Sequence, residues 1–202
     1  MSRARDRQTD EKLECVRPST AVVSVIGCAG RRSDAIRMTF GLYNRMVDRC
    51  RQVISGLIEP GGVHLVSGGA AWSDHIAVTL FLSGEFAGLT LHLPCQLTAH
   101  GFAETSSSHW AQNPGRLANM LHRQFSEKLG RDTLRELNEA RERGARIEVH
   151  NGFHARNNKV AQSPYLIAFS WGENGSPPRD GGTRYTWDRA HGTCVHVSLH
   201  DL

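Results

Sequence analysis

The stretch Ala21–Ile26, AVVSVI, is an unbroken run of apolar and small residues that ends at the string GCAGRR, Gly27–Arg32. A run without polar alternation is typical of a strand buried on both faces, as in a parallel sheet. Further short candidate strands follow along the chain at VHLVS (63–67), LTLHLP (89–94), PYLIAFS (164–170) and TCVHVSL (193–199), and the alternation of strands and helices resumes after the insertion with RIEVH (146–150). We therefore expect these runs to form the strands of one sheet.

Helical patterns separate the predicted strands. Apolar residues recur at helical spacing after Ser33 and Asp34, at Ile36, Phe40, Tyr43, Val47, Cys50 and Ile54. Such a row predicts an amphipathic helix, and shorter helices are predicted at 72–83, 154–162 and 183–192. Strands that alternate with helices indicate an α/β, Rossmann-like fold with a mainly parallel sheet flanked by helices.

The length of 202 residues fits a single domain. Residues 1–19 are polar and of mixed charge, and we expect them to form a disordered N-terminal tail; residues 20–202 would form the Rossmann-like domain. The strand pattern lapses at about 95–145, where two helices are predicted as a helical insertion. The chain shows neither a secretory signal nor a run of 18 apolar residues. The sequence therefore predicts a cytoplasmic protein with free cysteines and no membrane partner.

The net charge of +4 is a mild surplus that permits an anionic partner without requiring nucleic acid. Arginines concentrate at 31–51 and 116–146, where a basic stripe for single-stranded nucleic acid is an alternative to solvated, acid-paired helix faces. Aromatic residues do not interleave with these arginines, which makes base stacking less expected there. The eleven histidines show no HExxH pattern or cysteine–histidine cluster, so neither a metal nor another cofactor is expected.

Three glycine-containing loops, at 27–32, 67–70 and 181–183, each follow a predicted strand and precede a predicted helix. Backbone N–H groups in such loops can approach a phosphate, and a parallel sheet gathers the loops at one crevice. The sequence therefore predicts a nucleotide or phosphate site. Its candidate ligand-binding residues are Gly27, Cys28, Arg31, Arg32, Ser67, Gly68, Gly69, Asp74, Arg156, Asn157, Ser170, Gly181, Gly182, Thr183 and Thr186.

Several of these side chains have chemistry that suggests a role. Arg31 and Arg32 can clamp a phosphate, although a solvated turn explains them equally well. Asp74 can accept a hydrogen bond from a ribose hydroxyl, and Arg156 can hold an anion or face a glycosidic bond. Cys28 is either a nucleophile activated at a helix N-terminus or a small turn residue.

Four strings, in their order along the chain, resemble the SMF/DprA–LOG (SLOG) superfamily of Rossmann-like nucleotide-binding proteins, and most of all its YspA-type branch. The strings are VSVIGCAGRR, LVSGGAAWSDHIA, FHARNNKVAQSPYLIAFSWG and GGTRYTWDRAHGTCVHV. The resemblance covers roughly 21–94 and 146–198, with Trp72 at a position where YspA-type members usually have glycine. It implies a nucleotide-like ligand held by residues that match the motifs: Gly27, Arg31 or Arg32, Ser67, Gly68, Gly69, Asp74, Arg156, Asn157, Gly182 and Thr183.

The superfamily also suggests an activity. Its "lonely guy" branch cleaves the base from nucleoside monophosphates and carries an arginine upstream of PGGxGTxxE. Arg156 stands in the place of that arginine, but Thr186 stands where the glutamate belongs, and threonine cannot supply a carboxylate. Asp188 falls two residues late, so Asp74 or Glu173 would have to substitute. We expect a sensor or binding module, or an N-glycoside hydrolase with Arg156 and Asp74 as catalytic residues.

Two partner hypotheses accompany this function. The DprA branch binds single-stranded DNA, so a nucleic-acid-binding protein is the alternative function. A homodimer is compatible with two apolar rows on the first long helix. The rows comprise Met38, Leu42 and Met46 beside Phe40, Tyr43 and Val47.

Overall fold

Six strands form one sheet in which every neighbouring pair is parallel, in a computed structural model that describes residues 20–58, 62–179 and 181–202. The predicted N-terminal tail lies outside the described residues. Numbered in chain order, the sheet contains β1 (Ala21–Gly27), β2 (Val63–Ser67), β3 (Gly88–Leu93), β6 (Arg146–Val149), β7 (Tyr165–Ser170) and β8 (Thr193–Ser198). A separate antiparallel pair joins β4 (Leu97–Thr98) to β5 (Gly101–Phe102). The prediction of a parallel α/β sheet is confirmed.

The helices lie between the strands, as predicted. They are α1 (Asp34–Arg37), α2 (Phe40–Leu57), α3 (His75–Leu82), α4 (Pro114–Leu129), α5 (Thr133–Glu142), α6 (Gly152–Val160) and α7 (Gly181–Trp187). None of the helices in the described part of the chain has the length and apolar character needed to cross a membrane.

The strand order β6-β3-β2-β1-β7-β8 reverses direction at β1. The chain moves outward from β1 through β2 and β3 to β6, and then returns to the other side of β1 to form β7 and β8. Sheets of this type bind ligands in the crevice outside the carboxyl ends of the strands at such a reversal. The order therefore places the crevice beside the loops that follow β1, β2 and β7.

The two faces of the sheet carry different helices because successive side chains of a strand point to opposite faces. Val23 and Val25 of β1 belong to the larger core, which α2, α3, α4 and α5 share. Ile26 belongs to a smaller core with Val160 of α6. On that same face, Ser24 Oγ donates a hydrogen bond of 2.7 Å to Val160 O, which ties β1 to the end of α6.

The two helices predicted within 114–144 are present as α4 and α5. Asn113 begins α4 by accepting a hydrogen bond from Arg116 N at 3.2 Å, and Gly130 ends it in the left-handed conformation. Phe125 of α4 is fully buried. Its ring centroid lies 5.1 Å from that of Tyr43 and 4.4 Å from that of Trp72. The helices of this segment therefore complete the larger core.

The prediction of one long helix from Ser33 onward is wrong at its start, because the structure has two separate helices there. Helix α1 ends at Arg37, Met38 is extended, and Thr39 caps α2 by accepting from Leu42 N at 3.2 Å. Ile36 is consequently 82% exposed instead of packed in the core. The break arises because Thr39 offers the backbone a cap at the point where the apolar spacing alone predicts continuation.

This break also changes the proposed dimer surface. Of the two apolar rows, only Phe40 is exposed, at 53%. The other five residues are buried in the core of their own chain: Met38, Leu42, Tyr43, Met46 and Val47. The two rows therefore do not offer an apolar surface to a second copy of the chain. The homodimer remains a prediction, but these rows no longer support it.

Candidate functional site

A buried ion pair lies at the carboxyl end of β2. Arg156 of α6 is 8% exposed and donates from Nη1 to Asp74 Oδ2 at 2.9 Å; Asp74 is 3% exposed. The backbone N–H of Ala70 donates to the same carboxylate oxygen at 3.4 Å. Each buried charge thus has a partner, which offsets much of its desolvation cost. The Nε atom of Arg156 is buried without a hydrogen-bond partner among the described residues.

Gly68 permits this pair to form. A Cβ on Gly68 would lie 1.4 Å from Nη1 of Arg156 and 2.3 Å from its Cζ. The close approach predicted for the glycine loop is therefore used by a side chain of the protein itself. The hydroxyl group of Ser67 also forms hydrogen bonds within the protein: its Oγ donates to Asp74 O at 2.7 Å and accepts from Gly69 N at 3.3 Å.

Arg31 adds a second cation next to this pair. Its Cζ lies 5.8 Å from the ring centroid of Phe153, and Cζ of Arg156 lies 5.9 Å from the same centroid. Arg31 remains accessible to solvent. Its pKa is lowered mainly by partial desolvation of the guanidinium group, and further by the positive charge of Arg156. Asp74 pairs with Arg156, and the described residues show no carboxylate paired with Arg31, which leaves a local positive charge.

The cavity beside Arg156 is nearly closed. Its volume of about 10 Å³ is room for roughly one water molecule. The wall opposite the glycine loop comes from α4 and β5, through Ala118, Leu121 and Phe102. Among the lining residues, Arg31 is exposed and Phe153 is partly exposed, so these two side chains form the solvent-facing rim of the cavity.

Trp110 extends this rim and was missed by sequence reasoning. It is 50% exposed, and its ring centroid lies 6.1 Å from that of Phe153. The aromatic residues expected for base stacking were those among the arginines of the helices, whereas Trp110 comes from the segment before α4. Only the folded chain places Trp110 beside Phe153, whose ring Arg31 also faces.

The first glycine loop is tied to its neighbours. Cys28 N donates to Phe169 O at 2.8 Å, and Ser73 Oγ donates to Cys28 O at 2.9 Å. A Cβ on Gly27 would meet both Phe169 O and Ser73. Arg32 is exposed in a turn with φ of 54°, and its carbonyl accepts from Ala35 N. Arg31, and not Arg32, therefore lines the cavity.

Cys28 does not have the environment of an activated nucleophile. Its Sγ lies 3.3 Å from Asp34 Oδ2, and burial raises the pKa of the Cys28 thiol to about 12. The thiol is therefore neutral at physiological pH. The interpretation of Cys28 as a small turn residue fits the structure, and its interpretation as a nucleophile does not.

The start of α7 forms a separate group of contacts with α6. Asn157 Nδ2 donates to Gly182 O at 3.4 Å, and the buried Thr186 donates from Oγ1 to the same carbonyl at 2.8 Å. Gly181 and Thr183 belong to the first turn of α7. These residues connect α6 to α7, and Thr186 is turned towards its own helix. The structure does not bring them into the cavity beside Arg156.

The remaining candidates also lie elsewhere. Ser170 Oγ is 2.7 Å from His196 Nε2, and Asp188 pairs with Arg184 at 2.6 Å on the surface. Glu173 lines a second cavity of about 430 Å³ at the carboxyl ends of β7 and β8, together with Trp171. Neither Asp188 nor Glu173 is positioned to replace the missing glutamate beside Arg156.

A cluster of potential metal ligands lies at the end of β3. His92, Glu148 and His150 each offer one ligand atom, and these three atoms lie within 4.8 Å of one another. Burial lowers the pKa of His92 to about 4, against the opposing effect of Glu148. The HExxH pattern places histidines four residues apart, whereas side chains on one face of a strand recur every second residue. The pattern Glu148-x-His150 would have been the relevant signal.

The arginine-rich helices are partly neutralised by acidic side chains. Arg51 pairs with Asp48 and with Glu85, each at 2.7 Å. Two further pairs involve arginines at or near the ends of α5: Arg131–Glu136 and Arg143–Glu139. These contacts fit the interpretation of acid-paired helix faces.

The sheet order and its flanking helices define the chain as a Rossmann-like α/β protein. Its sequence is 34% identical over 183 residues to "Uncharacterized protein R261" of Acanthamoeba polyphaga mimivirus. The alignment covers 88% of this chain and 95% of the mimivirus protein. The chain therefore belongs to the same protein family as that viral protein. No family model matches the sequence, and no solved structure matches it significantly.

Proposed function

We propose that the protein binds a nucleotide or phosphoribosyl-type small molecule at the rim formed by Arg31, Phe153 and Arg156, and that it acts as a sensor or binding module. The observation that carries the proposal is the pair of guanidinium groups of Arg31 and Arg156, both within 6 Å of the Phe153 ring, of which only Arg156 is paired with a carboxylate, that of Asp74. A phosphate supplies the negative charge that this arrangement lacks, and guanidinium groups bind it in a bidentate manner. The resemblance to the SLOG superfamily supports the same ligand class.

The aromatic rim suits the rest of such a ligand. Trp110 lies next to Phe153, whose ring both arginines face, and Trp110 is half exposed. Nucleobases stack on aromatic side chains with a contribution of about 1–3 kcal/mol per base. We assign the phosphate to the Arg31 side of the rim and the base to Trp110.

Binding is favoured over N-glycoside hydrolysis. Hydrolysis needs a carboxylate that can activate water or stabilise positive charge on the sugar. Among the described residues, those that line the cavity beside Arg156 include no carboxylate, and Asp74 is held by Arg156. Thr186 is buried against Gly182 O and cannot take that role. We therefore expect the bound ligand to remain intact.

A pair of adjacent arginines supplies a matched test. We would titrate the full chain with AMP, ribose 5-phosphate and a short single-stranded DNA in a calorimeter, and compare Arg31→Gln with Arg32→Gln. Both variants remove one positive charge from the same loop, but only Arg31 lines the cavity. A hydrogen bond to a charged group contributes about 1.5–3 kcal/mol, so Arg31→Gln should weaken phosphate-ligand binding by roughly tenfold or more. Arg32→Gln should leave it nearly unchanged.

Other results would contradict the proposal. Equal weakening by both variants would indicate nonspecific charge attraction, and absence of binding by AMP and ribose 5-phosphate would exclude the ligand class. Binding of DNA alone, with an affinity that falls steeply with salt, would support the nucleic-acid alternative. Chromatography of bound AMP would detect released adenine, which would establish hydrolysis.

A further inference from the structure

Two histidines and a glutamate meet on one face of the sheet, at the carboxyl ends of β3 and β6. His92 and Glu148 are direct neighbours in the parallel register of these strands. His150 comes two residues after Glu148, and its backbone N–H extends the ladder by donating to Leu93 O at 2.8 Å. Because same-face residues recur every second position along a strand, the register brings the three side chains together.

The distances between the donor atoms suit a tetrahedral metal ion. His92 Nδ1 lies 3.0 Å from His150 Nε2 and 3.3 Å from Glu148 Oε2. Ligands placed 2.0–2.1 Å from a tetrahedral zinc ion are separated from one another by about 3.3 Å. The third separation, between the donor atoms of Glu148 and His150, is no more than 4.8 Å, so we infer that rotation of these side chains would place all three donor atoms around one ion.

We propose that His92, Glu148 and His150 form a binding site for a divalent transition metal ion, with Zn²⁺ as the best match. Two imidazole nitrogens and one carboxylate oxygen form a donor set that zinc accepts, whereas Mg²⁺ and Ca²⁺ prefer oxygen ligands alone. Three protein ligands leave a fourth coordination position for water or an anion.

A neighbouring arginine orients the carboxylate. Arg146 Nη2 lies 2.7 Å from Glu148 Oε1, while Oε2 of the same carboxylate faces His92. Outer contacts of this kind fix the orientation of metal ligands in many sites. The charges of Arg146 and Lys159 also act on His92, so we expect weaker binding than at a structural site with four ligands.

Without a metal ion, the 3.0 Å contact between the two histidines is an ordinary hydrogen bond. The two interpretations differ in what they predict for added metal. If the two histidines only form a hydrogen bond, the chain should not bind Zn²⁺ at this position. If they form a metal site, the chain should bind one ion, and removal of a ligand should abolish or weaken that binding.

The experiment uses the full, untagged chain after treatment with a chelator. ZnCl₂ is titrated against the protein in competition with a chromophoric chelator, and the variants His150→Ala and Glu148→Gln are compared with the wild type. His154→Ala is the matched control, because His154 is an exposed histidine of α6 that packs against Tyr185 outside the cluster. Circular dichroism verifies that each variant is folded.

We expect one Zn²⁺ per wild-type chain, an affinity reduced by roughly tenfold or more in both ligand variants, and no change in His154→Ala. Substitution by Co²⁺ should give the intense visible absorption of a tetrahedral site. Failure of the wild-type chain to bind Zn²⁺, or equal affinity in folded His150→Ala, would overturn the proposal. The readout requires no nucleotide, so it is independent of the function proposed for the arginine rim.

Discussion

Arg156 and Asp74, which are 82 positions apart in sequence, form a buried ion pair directly above Gly68. The pair links α6, on one face of the sheet, to the start of α3, on the other face. It therefore both fixes the geometry of the crevice and determines which charges remain for a ligand. Its removal has consequences that can be measured separately from ligand binding.

Asp74→Asn should destabilise the protein strongly, because it leaves the Arg156 charge buried without its counter-charge. Loss of one partner of a buried pair costs about 3–5 kcal/mol. Urea denaturation would measure the change in the free energy of unfolding. Arg184→Ala breaks the exposed pair with Asp188 and serves as the control, with an expected loss below about 1 kcal/mol. Similar losses in the two variants would show that the buried pair has no special role.

Gly68→Ala tests the close approach of Arg156. The new Cβ would overlap Nη1, so Arg156 must move and its bond to Asp74 must lengthen. Such overpacking costs about 1–3 kcal/mol, and more if the pair is lost. Gly56→Ala in α2 is the matched control, since no atom lies within 4 Å of its Cβ position. That change should stabilise the helix by up to about 1 kcal/mol, so the two alanine variants should shift the melting temperature in opposite directions.

Trp110→Ala separates recognition of the base from recognition of the phosphate. If the base stacks on Trp110, the variant should bind AMP roughly tenfold more weakly while it binds ribose 5-phosphate as the wild type does. Calorimetric titration with both ligands would measure the difference. An equal loss for both ligands would show that Trp110 supports the rim and does not contact the base.

Cys28 should react slowly with iodoacetamide. Burial raises its pKa to about 12, so at pH 8 almost none of this thiol is in the reactive thiolate form. Site-specific alkylation followed by mass spectrometry should show modification at Cys28 that is more than tenfold slower in the native chain than in urea. Rapid native alkylation would instead restore the nucleophile interpretation.

Acid should destabilise the protein through His122. The His122 ring is buried and contacts Gly69 O at 3.1 Å and Thr133 Oγ1 at 2.9 Å. Burial lowers the pKa of His122 to about 3. The unfolded chain protonates this histidine near pH 6.5 while the folded chain does not, so unfolding takes up a proton between these values. The free energy of unfolding should therefore fall as the pH is lowered from about 6.5 towards about 3.

The variant His122→Gln tests the origin of this pH dependence. Urea denaturation at several pH values should give a shallower decline for His122→Gln than for the wild type, whatever its stability at neutral pH. His191→Gln, which changes an exposed histidine, should retain the wild-type slope. An unchanged slope in His122→Gln would assign the acid sensitivity to other groups, such as His75, whose pKa burial also lowers.

The sheet could be predicted because β1 and β7 are short runs rich in apolar residues, and because the remaining short strands are separated by helices in a regular alternation. Gly68, Asp74 and Arg31 could be named as candidate site residues from the glycine loops that follow β1 and β2, and Arg156 from the resemblance of its segment to the SLOG motifs. The sequence could not show that Arg156 and Asp74 bind each other, since their contact depends on how α6 crosses the sheet. The cluster around His92 depends on the register of β3 and β6, which are separated by more than fifty residues.

The break at Thr39 shows a different limit. Apolar spacing continues from Ile36 into α2, so periodicity alone does not reveal a change of backbone direction. The signal was present in Thr39 itself, a residue with high preference for the N-cap position. It competed with an uninterrupted apolar row, and the row alone predicted the wrong boundary.

The packing of Phe125 against Tyr43 and Trp72 constrains how this family can diversify. A relative that shortened the segment between β3 and β6 would remove the aromatic partner of Trp72 and one wall of the cavity beside Arg156 in the same event. A change in the length of this segment would therefore alter the shape of the crevice and the packing of the larger core together. Substitutions on the crevice side of α4, at Ala118 and Leu121, would change the shape of the cavity while they preserve Phe125.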